Sequence, residues 1–117
     1  MAYAQAFTVP VTTASDGSAT VFSPVVTGRI QQVQYIKDDF ADTVDFAITL
    51  EDTGQNVWTE ANVTVTKTVN PVTKADLETG TASTLTELGI YAAGERVEFA
   101  ITNGGNTKTG SFQIIVT

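Results

Sequence analysis

At 117 residues the chain has room for one domain of ordinary size, and 42% hydrophobic against 16% charged residues is a globular rather than a disordered composition. Thirteen acidic against six basic residues give a net charge of −7, which repels phosphate backbones and anionic lipid surfaces, so recognition of nucleic acid or membrane is not expected. His and Cys are absent, which removes the usual catalytic bases, thiolate nucleophiles, disulfides and ligands for zinc, copper or iron, so neither catalysis nor a cofactor is expected.

The start, Met1-Ala2-Tyr3-Ala4-Gln5, has neither a basic n-region nor an apolar h-region, so synthesis in a cytoplasm is expected. No later run approaches the roughly 18 apolar residues of a membrane-spanning helix. Residues 1–6 form a candidate N-terminal arm. Tyr3 and Phe7 would either dock it on another subunit through unpaired β backbone or leave it frayed. Strands are predicted over 7–11, 19–26 and 29–37, separated by Asp16-Gly17 and Gly28, with Pro10 and Pro24 marking edges or bulges. Gln31, Gln32 and Gln34 place amides on the third strand, either to read another backbone at a subunit contact or as an ordinary polar face.

Asp38, Asp39, Asp42 and Asp45 crowd the next turn. Such density suits calcium, but the spacing matches no EF-hand loop and turns favour Asp for backbone reasons. Val44, Phe46, Ile48 and Leu50 alternate with smaller or polar residues, so a strand over 44–51 lines the core. After the Asp52-Thr53-Gly54 turn, a strand over 56–65 carries Trp58 as an inter-sheet plug or a ligand platform.

Over 66–94 the alternation fails, and Thr73-x-x-Asp76 and Thr84-x-x-Glu87 match capping boxes, so one long irregular connection with one or two helical turns is expected. Connections of that length more often bind than merely link, and Lys74, Leu77 and Tyr91 are its candidate contact residues. Asp76, Glu87, Glu95 and Glu98 supply carboxylates of the kind glycoside hydrolysis pairs, although nothing in their spacing brings them together. Val97, Phe99 and Ile101, then Asn103-Gly104-Gly105-Asn106, then Phe112, Ile114 and Val116 read as a C-terminal hairpin. About seven such strands exceed what one twisted sheet covers, which predicts an all-β fold: an antiparallel β-sandwich, Ig-like or jelly-roll-like, forming a single domain over 1–117.

The run from Thr12-Thr13-Ala14-Ser15-Asp16-Gly17 to Thr27-Gly28-Arg29-Ile30 resembles a family of small virion-associated proteins of tailed bacteriophages. The likeness continues through Tyr35-Ile36-Lys37, Asp39-Phe40-Ala41-Asp42, Val44-Asp45-Phe46 and Thr53-Gly54-Gln55. It returns at Glu95-Arg96-Val97 and at Gly104-Gly105-Asn106-Thr107-Lys108-Thr109-Gly110-Ser111-Phe112. The resemblance implies a structural protein without catalytic residues or cofactor, made in the host bacterial cytoplasm and carried on the outer capsid surface of the virion. It further implies a capsid decoration or cement protein that binds the major capsid protein or neighbouring virion proteins and forms a homo-oligomer, a trimer where it occupies three-fold positions. A neck or head-to-tail adaptor is the alternative, and a carbohydrate-binding module of a tail or fibre, gripping glycan through Trp58 or Tyr91, is a further one. The segment 66–87 departs from the family, whose members are richer there in Ala and Gly, and this is the segment that would shape the partner contact.

Overall fold

The computed structural model describes residues 4–76 and 79–117. Its elements are all strands: β1 Gln5–Thr12, β2 Ala19–Phe22, β3 Val26–Ile36, β4 Asp45–Leu50, β5 Asn56–Glu60, β6 Lys67–Val69, β7 Val72–Asp76, β8 Ala82–Gly89, β9 Tyr91–Glu95, β10 Val97–Thr102 and β11 Thr109–Val116. One sheet runs β1-β11-β3-β6, with β9 also on β3, a second runs β2-β10-β4-β5, and β7 and β8 form a two-stranded sheet. Every pairing is antiparallel.

Strands β6 and β9 share one edge of β3. Arg29 exchanges backbone hydrogen bonds with Thr117 on one side, while the next amide, Ile30 N, donates to Ile90 O at 2.8 Å on the other. Further along that second side, β6 pairs with residues 33–35. Counted as two halves of one interrupted strand, β6 and β9 complete a nested series: β1 with β11, β2 with β10, β3 with β6 and β9, β4 with β5. This is the wound antiparallel ribbon of a jelly roll. The β7–β8 hairpin is an excursion from the break in that edge.

The core forms because alternate residues of both sheets face inward. Val44, Phe46, Ile48 and Leu50 are all buried, as their alternation predicted. Phe112 of the first sheet meets Phe46 at 5.2 Å and Phe99 at 4.8 Å of the second, so aromatic rings carry the contact between layers. Such pairs contribute about 0.5–1.5 kcal/mol each beyond their area. Trp58 lies in the core rather than on a ligand platform: it packs edge-on against Phe46 of the neighbouring strand in its own sheet, and its indole N–H donates to Glu60. Lys67 pairs with the same Glu60 carboxylate at 2.9 Å and ties the edge of one sheet to the edge of the other.

Four expectations are corrected. Among the described residues there are eleven strands rather than about seven. The 66–94 connection holds β6 to β9 in place of helical turns. β7 and β8 form a two-stranded ribbon apart from the two main sheets, so they need not share the period of a sheet facing the core, while the many Thr and Val residues of the segment favour extended backbone. The C-terminal hairpin does not form: β10 pairs with β2 and β4, and β11 with β1 and β3, so residues 103–108 cross from one sheet to the other. Alternation names the buried face of a strand but not its partner. Strand limits also shift. Gln5 and Ala6 of the expected arm pair with Val116 and Ile115 inside β1, β2 stops at Phe22, Gly28 lies within β3, and β5 ends at Glu60 ahead of Asn62, whose φ is 54°.

The crossing segment is pinned at one end of the sandwich. Thr13 is 3% exposed. Its hydroxyl donates to Gly105 O at 2.7 Å and accepts from Lys108 N at 2.8 Å. Gly104 N donates to Gly17 O, and Ala41 N to Gly104 O. The Asp16-Gly17 and Gly104-Gly105 motifs, far apart in the chain, are thus two halves of one joint.

Candidate functional site

The base of the β7–β8 hairpin gathers exposed apolar groups. Val72 is 44% exposed, Leu88 51% and Tyr91 64%. Val72 pairs with Gly89 and Thr73 with Leu88, so the exposed Val72 and Leu88 lie on opposite faces. Arg29, the register partner of Tyr91, runs across Gly89, where any side chain would collide: a Cβ there would meet Arg29 Nε. That Nε is buried without a hydrogen-bond acceptor, and Arg29 makes no ion pair among the described residues. A cation without a counter-charge, beside an exposed tyrosine and two aliphatic side chains, is the composition of a docking hot spot.

A second surface is the outer face of the β1-β11-β3-β6 sheet. Register sets Thr8, Gln113, Gln34 and Thr68 in one row across four strands. The rows beside it are Ala6, Ile115 and Gln32, and Pro10, Ser111 and Ile36. No charged residue occurs in β1, in β11 or in β3 from Ile30 to its end. In a chain with 19 charged residues, that leaves one face of amides, hydroxyls and aliphatic groups.

No protein-family model matches the chain, and no curated protein matches it.

Of the predicted contact residues, Gln32 lies on the uncharged face. Gln31 sits where the β3–β11 register shifts, its carbonyl taken by Asn70 Nδ2 at 3.0 Å. Phe7 is half-buried against the core, Lys74 lies on β7 opposite Glu87, and Tyr91 stands at the hairpin base. Tyr3 and Leu77 lie outside the described residues. Arg29, Val72 and Leu88 escaped the sequence reading. Their only signals there are a lone charge within β3 and apolar residues in a stretch without alternation.

The acidic turn is a structural clasp. Asp39 accepts the amide of Thr109, whose hydroxyl lies 3.0 Å from Asp39 and 2.9 Å from Asp38, while Asp42 pairs with Lys37. The Thr109 amide is the main reason that the Asp39 carboxyl titrates below its ordinary 3.8. Among the described residues no three acidic side chains gather closely enough to hold a metal ion. Glu95, 5% exposed, spends its Oε1 on the amides of Asp52 and Thr53 and so fixes the β4–β5 turn. On the outer face of the other sheet the small side chains of Ala47, Thr59 and Ala100 leave an open hollow of about 420 Å³, with Asp45 at its rim. Asp45 accepts from Asn62 N and Asn103 Nδ2, in that order of effect, and these bonds hold its carboxyl below the ordinary value.

Proposed function

We propose that the protein is a non-enzymatic structural subunit of a tailed-bacteriophage virion, a capsid decoration or cement protein that binds between major capsid subunits. The observation that carries this reading is the hairpin base. A two-stranded hairpin is marginal by itself and gains order from whatever packs on it. Tyr91, Leu88, Val72 and Arg29, which makes no ion pair among the described residues, give a partner an aromatic anchor, apolar area and a positive charge in one patch. The jelly-roll body could close without this excursion, because β6 and β9 already follow the same edge of β3. The virion context comes from the resemblance of residues 12–30 and 104–112 to phage particle proteins.

A shell under pressure from packaged DNA opens only when subunit contacts are lost, and a small protein seated across those contacts adds interface that must be broken first. Roughly 1,200 Å² buried per subunit is enough for a specific complex. Quantitative mass spectrometry of washed particles is the test. Hundreds of copies per particle agree with a shell location, a single ring's worth moves the protein to the neck, and complete absence refutes the virion role. On purified shells, the paired change Leu88→Ser and Tyr91→Ser is expected to weaken attachment by roughly thirtyfold to a thousandfold, at about 1–2 kcal/mol for each anchor, while the fold stays intact because both side chains are exposed.

A further inference from the structure

We propose that two copies of this chain associate face to face through the uncharged outer surface of the β1-β11-β3-β6 sheet. The occupant follows from what a two-fold contact demands. In such an interface each patch meets itself, so groups near the axis face their own kind. Carboxylates only accept hydrogen bonds and ammonium groups only donate, so a charged patch cannot satisfy its own copy. Amides and hydroxyls do both. Gln32, Gln34, Gln113, Thr8 and Thr68 therefore form a face complementary to itself in hydrogen bonding, with Ile115 and Ile36 supplying apolar contact.

Charge selects the same face. Two chains of net charge −7 repel one another, and the contact that opposes no carboxylates is the one that carries none. The outer face of the other sheet fails this condition, since Asp45 and Glu98 stand on it. Charge depletion at the centre of a patch is also the compositional mark that separates interfaces from ordinary surface.

Size sets the strength. Three strands contributing about eight residues each, and the three residues of β6, at a strand spacing of about 4.8 Å and about 3.4 Å per residue, make an area of roughly 440 Å² per copy. The total of roughly 900 Å² lies below the usual size of stable specific complexes, in the range of weak and transient ones. The expected dimer is therefore reversible, in the micromolar range, and favoured where copies are crowded together. Face-to-face pairing closes at two, in place of the trimer implied by the family resemblance.

Sedimentation equilibrium of the purified protein tests this without any virion, so the result is independent of the proposed shell location. A reversible monomer–dimer equilibrium is expected, and added salt should not weaken it, because screening reduces the repulsion and no ion pair is broken. Gln34→Glu, at the middle of the face, should raise the dissociation constant about tenfold or more with an unchanged thermal midpoint. Gln113→Lys is an independent disrupter should the first variant fold poorly. Thr20→Glu, on the opposite face, should leave the dimer in place. A monomer at all concentrations, a trimer, or a dimer that survives both Gln34→Glu and Gln113→Lys overturns the proposal.

Discussion

Gly28 passes so close to Thr117 that a Cβ on it would stand 2.3 Å from the Thr117 carbonyl oxygen. The contact cannot relax cheaply, because Arg29 and Thr117 exchange two backbone hydrogen bonds and hold the strands together one residue away. Gly28 also has a φ of 133°, a conformation that residues with a side chain rarely adopt. Gly28→Ala is therefore expected to cost about 2–4 kcal/mol, read as a lower urea midpoint with an unchanged slope. A loss below about 1 kcal/mol would mean that β3 can move away from the C-terminus without penalty.

Thr13 makes the matching point at the other end of the sandwich. Its buried hydroxyl serves both Gly105 O and Lys108 N, and a Cβ at Gly104 would stand 2.9 Å from the Thr13 methyl group. Thr13→Val keeps the shape and removes the hydroxyl, which leaves a buried carbonyl and amide without that partner. A loss of about 1–3 kcal/mol is expected, with Thr13→Ser recovering most of it. Equal losses for Val and Ser would show that the methyl group, not the hydroxyl, holds the joint.

These two sites show how far the sequence could be read. Strict alternation located β4, β10 and the inner faces of β3 and β11, because burial on one face leaves a period of two. It missed β7 and β8, which form a ribbon apart from the two main sheets, and β9, whose Ala, Gly and Glu lack the bulk that marks a strand. It misjudged the partner of β11, because pairing is set by long-range packing and the Gly104-Gly105 turn suits a crossing between sheets as well as a hairpin. Gly28 read as a break between strands although it sits inside one, since what matters there is the approach of Thr117, 89 residues away. At the candidate site Tyr91 was legible as a contact residue of the long connection, though not as part of a strand, and Gln32 as an amide on the third strand. Arg29 was not, because its lack of a counter-charge becomes visible only once its neighbours are placed.

Acid should destabilise the fold through its clasps. The Thr109 amide lowers the Asp39 carboxyl, the Asn62 amide that of Asp45, and the Arg96 guanidinium that of Glu51. Each group binds its proton more readily in the unfolded chain, so its contribution is full above the ordinary carboxylate range and disappears as pH falls through the depressed folded values. Stability is expected to be level from neutrality to about pH 5 and to decline below about pH 4. Urea midpoints measured across that range for the protein and for Asp39→Asn combined with Asp45→Asn provide the check. The double variant should start lower and decline less steeply, and identical slopes would remove these carboxylates from the explanation.

At the alkaline end the controlling group is Tyr35, fully buried with Phe40, Phe46 and Phe112 around its ring and no hydrogen-bond partner for its hydroxyl among the described residues. Burial first, and the nearby Asp42 carboxylate second, push its ionisation from 10.0 up to about 12. The sign is opposite to that of the aspartates. The unfolded chain loses the phenolic proton first, so the neutral buried ring contributes its stability below pH 10, and that contribution fades as pH rises towards 12. Tyr35→Phe removes the titrating group and an unsatisfied buried oxygen together, so stability at neutral pH should stay level or rise by up to about 1 kcal/mol. The variant should also lose the late-ionising component of the phenolate absorbance titration and unfold at higher pH than the parent. If it falls by more than about 1 kcal/mol at neutral pH, the hydroxyl has a stabilising partner and the account of this core is wrong.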